Sequence, residues 1–267
     1  MKIHPDKSRG QNFLIDKNVL GKIVTAAELK PSDTIIEIGA GTGVLTAELA
    51  KQAKKVIAFE IDKKLIPILR ENLKDFKNVE IVNEDILRVG ATPCGRPPLR
   101  YKIIANIPYN ITSAVLEKFL SADCKGEVTS PLLMVLMVQR EVAERICAPS
   151  GKMSLLSVMV QYYGQPEIVA RVPASAFWPA PKVDSAILKI NVGASLVGAN
   201  HFFQIVKAGF SHRRKMLKNN LVGAYCNTPL QIVDILTKAG LSPTVRAQEL
   251  SVEDWKKLTL ALLSQRR

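Results

Sequence analysis

The sequence has little that would mark a secreted, metal-binding or membrane-spanning protein. Its four cysteines, Cys94, Cys124, Cys147 and Cys226, lie far apart and form no C-x-x-C pair. That excludes a zinc ribbon or a disulfide framework and fits a reducing compartment. The three histidines, His4, His201 and His212, show no ligand spacing, so no metal is expected. No run reaches the roughly 18 uninterrupted apolar residues of a membrane-spanning helix. The first residues, MKIHPDKSRGQNFLID, lack an apolar signal core, and Asp6 and Asp16 argue against a transit peptide. A cytoplasmic location without membrane contact is the expectation. Internal repeats and low-complexity segments are absent too.

Acidic residues are also short. Against 37 Lys plus Arg stand 24 Asp plus Glu, a net charge of +13 over 267 residues, which points to a polyanionic partner. Residues 193–267 hold 11 basic and 4 acidic side chains, so the tail is proportionally the more basic part.

What is present begins at Asp33 with a repeated strand, turn and helix: TIIEIG then VLTAELAKQ, VIAFEI then KKLIPILRENL, VEIVNEDIL, and YKIIANI then ITSAVLEKFL. Such alternation predicts a parallel sheet covered by helices on both faces. PLLMVLMVQ reads as a fifth buried strand, and REVAERI as a helix. QPEIVARVP and DSAILKINV are expected to close the sheet as an antiparallel pair, with a proline-punctuated loop, ASAFWPAPKV, between them. Residues 89–100 are turn-rich and read as an exposed connection. Beyond a linker-like GASLVGAN, the segments HFFQIVKAGF, RRKMLKNNLVGAY, TPLQIVDILTKAG and SVEDWKKLTLALL read as helices. The expected architecture is an α/β domain over residues 1–193 and a small all-helical C-terminal domain over 199–267.

The stretch IIEIGAGTGVL places Gly39, Gly41 and Gly43 between the first strand of this series and its helix. A dinucleotide fingerprint would need a third glycine at position 44, which is Val44. The pattern E-x-G-x-G-x-G is instead associated with S-adenosylmethionine (SAM) methyltransferases. Glu60, at the end of the next strand, is placed to accept from both ribose hydroxyls. Asp85 in NEDIL is placed to accept from the adenine amine, with Ile86 against the ring. Three successive strand ends thus supply a glycine loop, a ribose acid and an adenine acid.

The next strand ends in Asn106-Ile107-Pro108-Tyr109, at the crevice beside such a cofactor. An exocyclic adenine amine is a poor nucleophile because its lone pair is delocalised into the ring. The Asn106 side-chain oxygen and a backbone carbonyl beside Pro108 can accept its hydrogens as the nitrogen pyramidalises. Tyr109 offers a ring on which an extruded base can stack. Phe177, in the rigid FWPAPKVDS loop, is the expected opposite wall, with Trp178 as its rival.

These residues, together with GQNFLID, FEID, NIPYNITS, MVQREVAERI, LSVMVQYY, FWPAPKVDSAIL, RRKMLKNNL and RAQELSVEDW, run almost the whole chain. The sequence resembles the ribosomal RNA adenine N6,N6-dimethyltransferases, in particular the small-subunit branch. The resemblance implies a Rossmann-like SAM-dependent methyltransferase fold, with SAM contacted by Gln11, Asn12, Leu14, Gly39, Gly41, Glu60, Asp85, Ile86 and Asn106. It further implies dimethylation of two adjacent adenosines in the 3′-terminal hairpin of small-subunit rRNA, on an immature small ribosomal subunit, by a monomer. Tyr109 and Phe177 map onto the family's pocket aromatics. Arg213, Arg214, Lys215 and Lys218, near Asn219 and Asn220, are candidate phosphate contacts. Two other readings stand beside this one: a large-subunit rRNA dimethyltransferase conferring antibiotic resistance, and an assembly factor that acts mainly by binding.

Overall fold

The computed structural model describes residues 5, 10–88, 100–120, 130–193, 199–212, 214–223, 225 and 228–264. Most of the 89–100 connection, Cys94, Cys124, Cys226 and the candidate phosphate contact Arg213 lie outside them. Two compact units emerge, one of residues 1–143 with 164–193, the other of 144–163 with 194–267.

The first unit opens with β1 (Phe13–Leu14) and α1 (Lys17–Ala26), whose Asp16 carboxylate caps the helix by accepting the Asn18 and Val19 N–H groups. Then follow β2 (Thr34–Ile38), α2 (Val44–Ala50), β3 (Lys55–Phe59), α3 (Ile66–Asn72), β4 (Val79–Val82), β5 (Lys102–Asn106), α4 (Thr112–Leu120) and β6 (Leu133–Gln139). After α5 (Arg140–Ile146) and α6 (Leu155–Tyr163), the unit is completed by β7 (Gly164–Val172), β8 (Phe177–Trp178) and β9 (Ser185–Val192).

Seven strands form one sheet in the order β4-β3-β2-β5-β6-β9-β7. It is parallel from β4 to β6, and β9 runs antiparallel to both its neighbours, as the two alternating segments predicted. The central strands read as continuous apolar runs because both faces are covered. Ile35, Val56, Ile104 and Val135 pack in one cluster with Ile23 of α1 and Leu49 of α2. Ala58 packs in another with Ile66, Leu69 and Leu73 of α3 and its end. From β2 the chain steps to β3 on one side and later to β5 on the other. The carboxyl ends of β2 and β5 therefore flank the crevice where open α/β sheets bind ligands.

The second unit contains α6, α7 (Ala199–Gly209), α8 (Leu217–Leu221), α9 (Pro229–Lys238) and α10 (Val252–Ser264). The division expected at residue 193 is thus only one of the boundaries, because α6 leaves the α/β core. Met153 and Val158 are buried with Phe202, Ile205, Leu236 and Trp255, so burial places this apolar segment with the helical tail. A Thr228–Gln231 capping box starts α9. The helix expected over 213–225 contracts to α8, since Met216 and Val222 are extended at its two ends. Asn220, which follows the candidate phosphate contacts in sequence, is buried and donates to the carbonyls of Gly209 (2.6 Å) and His212 (3.1 Å). Its role is structural.

Candidate active site

The glycine turn after β2 owes its shape to positive φ angles at Gly39, Gly41 and Gly43. At Gly43 (φ +88°) the backbone conformation itself calls for glycine, and a Cβ there would also lie 2.8 Å from Leu69 Cδ1 of α3. At Gly41 (φ +60°) a Cβ would meet the Phe13 ring at 3.4 Å. The Gly41 N–H donates to Glu60 Oε2 (2.8 Å) and the Asp62 N–H to Glu60 Oε1 (2.8 Å). Gln11 Nε2 in turn donates to Asp62 Oδ2 (2.9 Å). Each Glu60 oxygen thus holds one backbone donor and keeps acceptor capacity for another. Burial raises the Glu60 pKa, and the backbone N–H donors partly offset the rise.

At the end of β5, Asn106 Nδ2 donates to the Asn12 carbonyl (3.1 Å). The amide is oriented by that bond, so its oxygen is the atom presented for an incoming donor. The Tyr109 hydroxyl bonds Ser185 Oγ (2.7 Å), a buried side chain at the start of β9. That anchor fixes the tip of the tyrosine ring and leaves its faces to pack or stack. Further along, Asp85 Oδ1 accepts the Leu87 N–H (2.9 Å), and Lys118 Nζ reaches from α4 to the Ile86 carbonyl (2.6 Å). The turn that carries Asp85 and Ile86 is thereby fastened on both sides.

A cavity of about 440 Å³ joins these parts, a size ordinary for a cofactor site. Every residue expected to contact the cofactor lines it, from Gln11, Asn12 and Leu14 through Gly39, Gly41 and Glu60 to Asp85, Ile86 and Asn106; Pro108 and Tyr109 do so as well. Phe177 does not. β1 and β8 form an antiparallel ribbon with Leu14 opposite Phe177 and Phe13 opposite Trp178. Alternation along β8 turns Phe177 inward, 3% exposed within the cluster of Leu20, Val135 and Met137, and turns Trp178 outward. The expected open face on Phe177 is therefore absent. Arg214 and Lys215 are exposed and Lys218 is half-buried.

Sequence reasoning passed over Phe13, Asp62, Lys118, Ser185 and Glu37. Only Glu37 carried a signal, as the acid of E-x-G-x-G-x-G. It lines the cavity at 1% exposure, and its Oε2 has no hydrogen-bond partner among the described residues. Burial pushes its pKa up to about 8, the Glu60 carboxylate adds to the rise, and the Thr46 hydroxyl tempers it. The folded chain therefore holds a proton that the unfolded chain releases near pH 4.5, and stability falls as pH rises through that window. Glu37→Gln should remove this slope. Thermal melts of the cofactor-free protein between pH 5 and 8 check it: the variant gains on the native chain as pH rises, and parallel curves contradict the assignment.

The residues suit a nucleoside cofactor. Glu60 offers acceptor capacity on both oxygens, the protonated Glu37 carboxyl keeps Oε2 without a hydrogen-bond partner among the described residues, and the Gly41 turn is a cradle that a Cβ would crowd. A seven-stranded sheet with a reversed strand beside its last, a glycine turn at the switch point and these acids define a SAM-dependent methyltransferase.

A family model described as Ribosomal RNA adenine dimethylase matches residues 4–263. A protein of Dehalococcoides mccartyi named Ribosomal RNA small subunit methyltransferase A is 46% identical over 258 residues, 95% of this chain and 87% of that one. One of the same name from Streptococcus pneumoniae is 45% identical, over 97% of this chain and 92% of the relative. Among solved structures, a dimethyladenosine transferase from Plasmodium falciparum is similar with a TM-score of 0.81 and 28% identity, covering 95% of this chain and 98% of that one. The 23S rRNA methyltransferase ErmE is similar with a TM-score of 0.75 and 31% identity, covering 94% and 99%. This chain belongs to the ribosomal RNA adenine dimethylase family, and SAM is its methyl donor.

Proposed function

We propose that this enzyme adds two methyl groups to the N6 of each of two adjacent adenosines in the 3′-terminal hairpin of small-subunit rRNA, during assembly of that subunit. The observation that carries the chemistry is Asn106, whose Nδ2 is fastened to Asn12 and whose oxygen is left for an amine. Gln11, Asn12, Leu14, the Gly39–Gly41 turn and Glu60 would hold the cofactor, with Asp85 and Ile86 at its adenine. When bound, SAM supplies an electrophilic methyl group on a sulfonium.

The protein's part is to make the target nitrogen a better nucleophile. Asn106 Oδ1 accepts one amine hydrogen. The Pro108 carbonyl already accepts the Ile111 N–H (3.1 Å), and of the two carbonyls beside the proline we take that of Ile107 as the second acceptor. Both stabilise the positive charge that develops on nitrogen, and the proton then leaves to water. Tyr109, held by Ser185, is the stacking platform for the extruded base. Phe177, buried in the core and opposite Leu14 in the β1–β8 ribbon, packs with a residue that lines the pocket. After the first transfer one acceptor must release its hydrogen to admit the second.

The helical unit is the RNA grip in this reading, through Arg214, Lys215 and Lys218 together with Arg213. Structured RNA is gripped by its phosphates, so binding should weaken steeply with salt. The protein would act in the cytoplasm as a monomer.

The likeness to ErmE makes large-subunit rRNA the competing substrate. The identities decide against it, 46% to a small-subunit relative and 31% to ErmE. Primer extension on both rRNAs from cells lacking the protein tests the choice, because dimethyladenosine blocks pairing and stops the polymerase. We expect a stop near the 3′ end of small-subunit rRNA to disappear; loss of a stop in large-subunit rRNA would overturn the assignment. If Glu60→Ala fully rescues growth of a deletion strain, binding rather than methylation is the essential role.

A further inference from the structure

Trp178 is the large aromatic surface beside the site that the chemistry above leaves unused. The indole is 49% exposed, yet its support is firmly tied. The Ala176 carbonyl accepts N–H bonds from Ile15 (2.9 Å) and Asp16 (3.3 Å). The Ala174 N–H donates to Asp184 Oδ1 (3.2 Å), while Arg140 donates its backbone N–H to the Asp184 carbonyl (3.0 Å) and its guanidinium to Oδ2 (3.2 Å). The loop from Ala174 to Asp184 is thus held at both ends.

Register fixes where the ring stands. Trp178 is directly opposite Phe13 in the β1–β8 ribbon, and opposed side chains on antiparallel strands project from one face. Phe13 is part of the cavity wall and Trp178 is not. The indole therefore adjoins the Phe13 part of the cavity wall without lining the cavity itself. Ile15 (61% exposed) follows β1, and Val183 (46% exposed) and the exposed Lys182 lie in the same tied loop as Trp178.

An adenine drawn into the cavity leaves its neighbour without a stacking partner. We infer that Trp178 is a stacking platform for the purine base adjoining the target adenosine, with Lys182 facing the phosphate between them. With two adjacent targets, that neighbour is the second adenosine, held outside while the first reacts. The inference rests on the rRNA-adenine reading, and it gives the site a second base position. A half-exposed ring on a tied backbone suits the task, because the loop that carries it has little freedom left to lose when a base lands on it.

The chain has two tryptophans, and the other, Trp255, is fully buried in the helical unit, so quenching of the intrinsic fluorescence reports on Trp178. Titration with a short oligoadenylate should quench the wild-type protein and leave Trp178→Phe unaffected. On small subunits lacking the methyl groups, Trp178→Ala should raise the KM about ten-fold, with kcat and SAM affinity within about two-fold; Trp178→Phe should recover most of the loss. A wild-type KM for Trp178→Ala, or no quenching by oligoadenylate, overturns the proposal. A raised KM without quenching does so too, since the ring would then dock on a ribosomal protein. Methylation of those subunits by the wild-type enzyme tests the underlying reading separately, and its failure would remove both.

Discussion

Replacing Asn106 by alanine is expected to lower kcat for adenosine methylation by about two to three orders of magnitude, while SAM affinity changes by less than about ten-fold. That size is typical when one preorganised group facing developing charge is removed from a water-poor site. The asymmetry follows from geometry. The Asn106 oxygen meets the amine only in the reaction, whereas the Nδ2 bond to Asn12 (3.1 Å) merely helps to hold a segment of the cavity wall. Losing that bond loosens the wall and accounts for the modest change in affinity. Single-turnover methylation together with calorimetric SAM titration separates the two effects. Near-native turnover in the variant would remove Asn106 from the chemistry, and loss of SAM binding alone would make it a structural residue.

Glu60→Ala should weaken SAM binding by at least about 100-fold. Hydrogen bonds to a charged group are worth about 1.5–3 kcal/mol each, and two ribose hydroxyls would lose such a partner. The substitution also strips the Gly41 and Asp62 N–H groups of their acceptor. Some of the lost affinity therefore reflects a loosened turn. Glu60→Gln keeps an acceptor but places an amide where one backbone N–H now donates, so it should fall between the two. Because burial raises the Glu60 pKa, affinity for SAM should begin to fall on acidification above the ordinary glutamate range. A titration that is flat down to pH 4.5 would contradict the role assigned to this carboxylate.

The sheet was legible because its strands are apolar runs separated by glycine turns and amphipathic helices, and the carboxyl ends of those strands bring Gly39, Glu60, Asp85 and Asn106 into one cavity. What escaped depends on contacts between segments remote in the chain. The β1–β8 ribbon has two residues per strand, too few for any periodic signal. It nevertheless decides that Phe177 faces inward and Trp178 outward. The Ser185 anchor of Tyr109 and the Asn12 carbonyl that orients Asn106 are likewise invisible until the chain folds. The segment forming α6 looked like one more piece of the α/β domain, and only the burial of Val158 beside Trp255 places it with the helices. The burial of Asn220 has a similar origin: its side chain serves the Gly209 and His212 carbonyls, contacts that no local pattern announces.

The most direct test of the central claim is mass spectrometry of small-subunit rRNA after unmethylated subunits are incubated with SAM and either the native enzyme or Asn106→Ala. With the native enzyme we expect two adjacent adenosines near the 3′ end to carry two methyl groups each, and with Asn106→Ala, over the time the native enzyme needs to finish, we expect almost no modification of either. Methylation of a single adenosine, of a base other than adenine, or of large-subunit rRNA in preference would contradict the account.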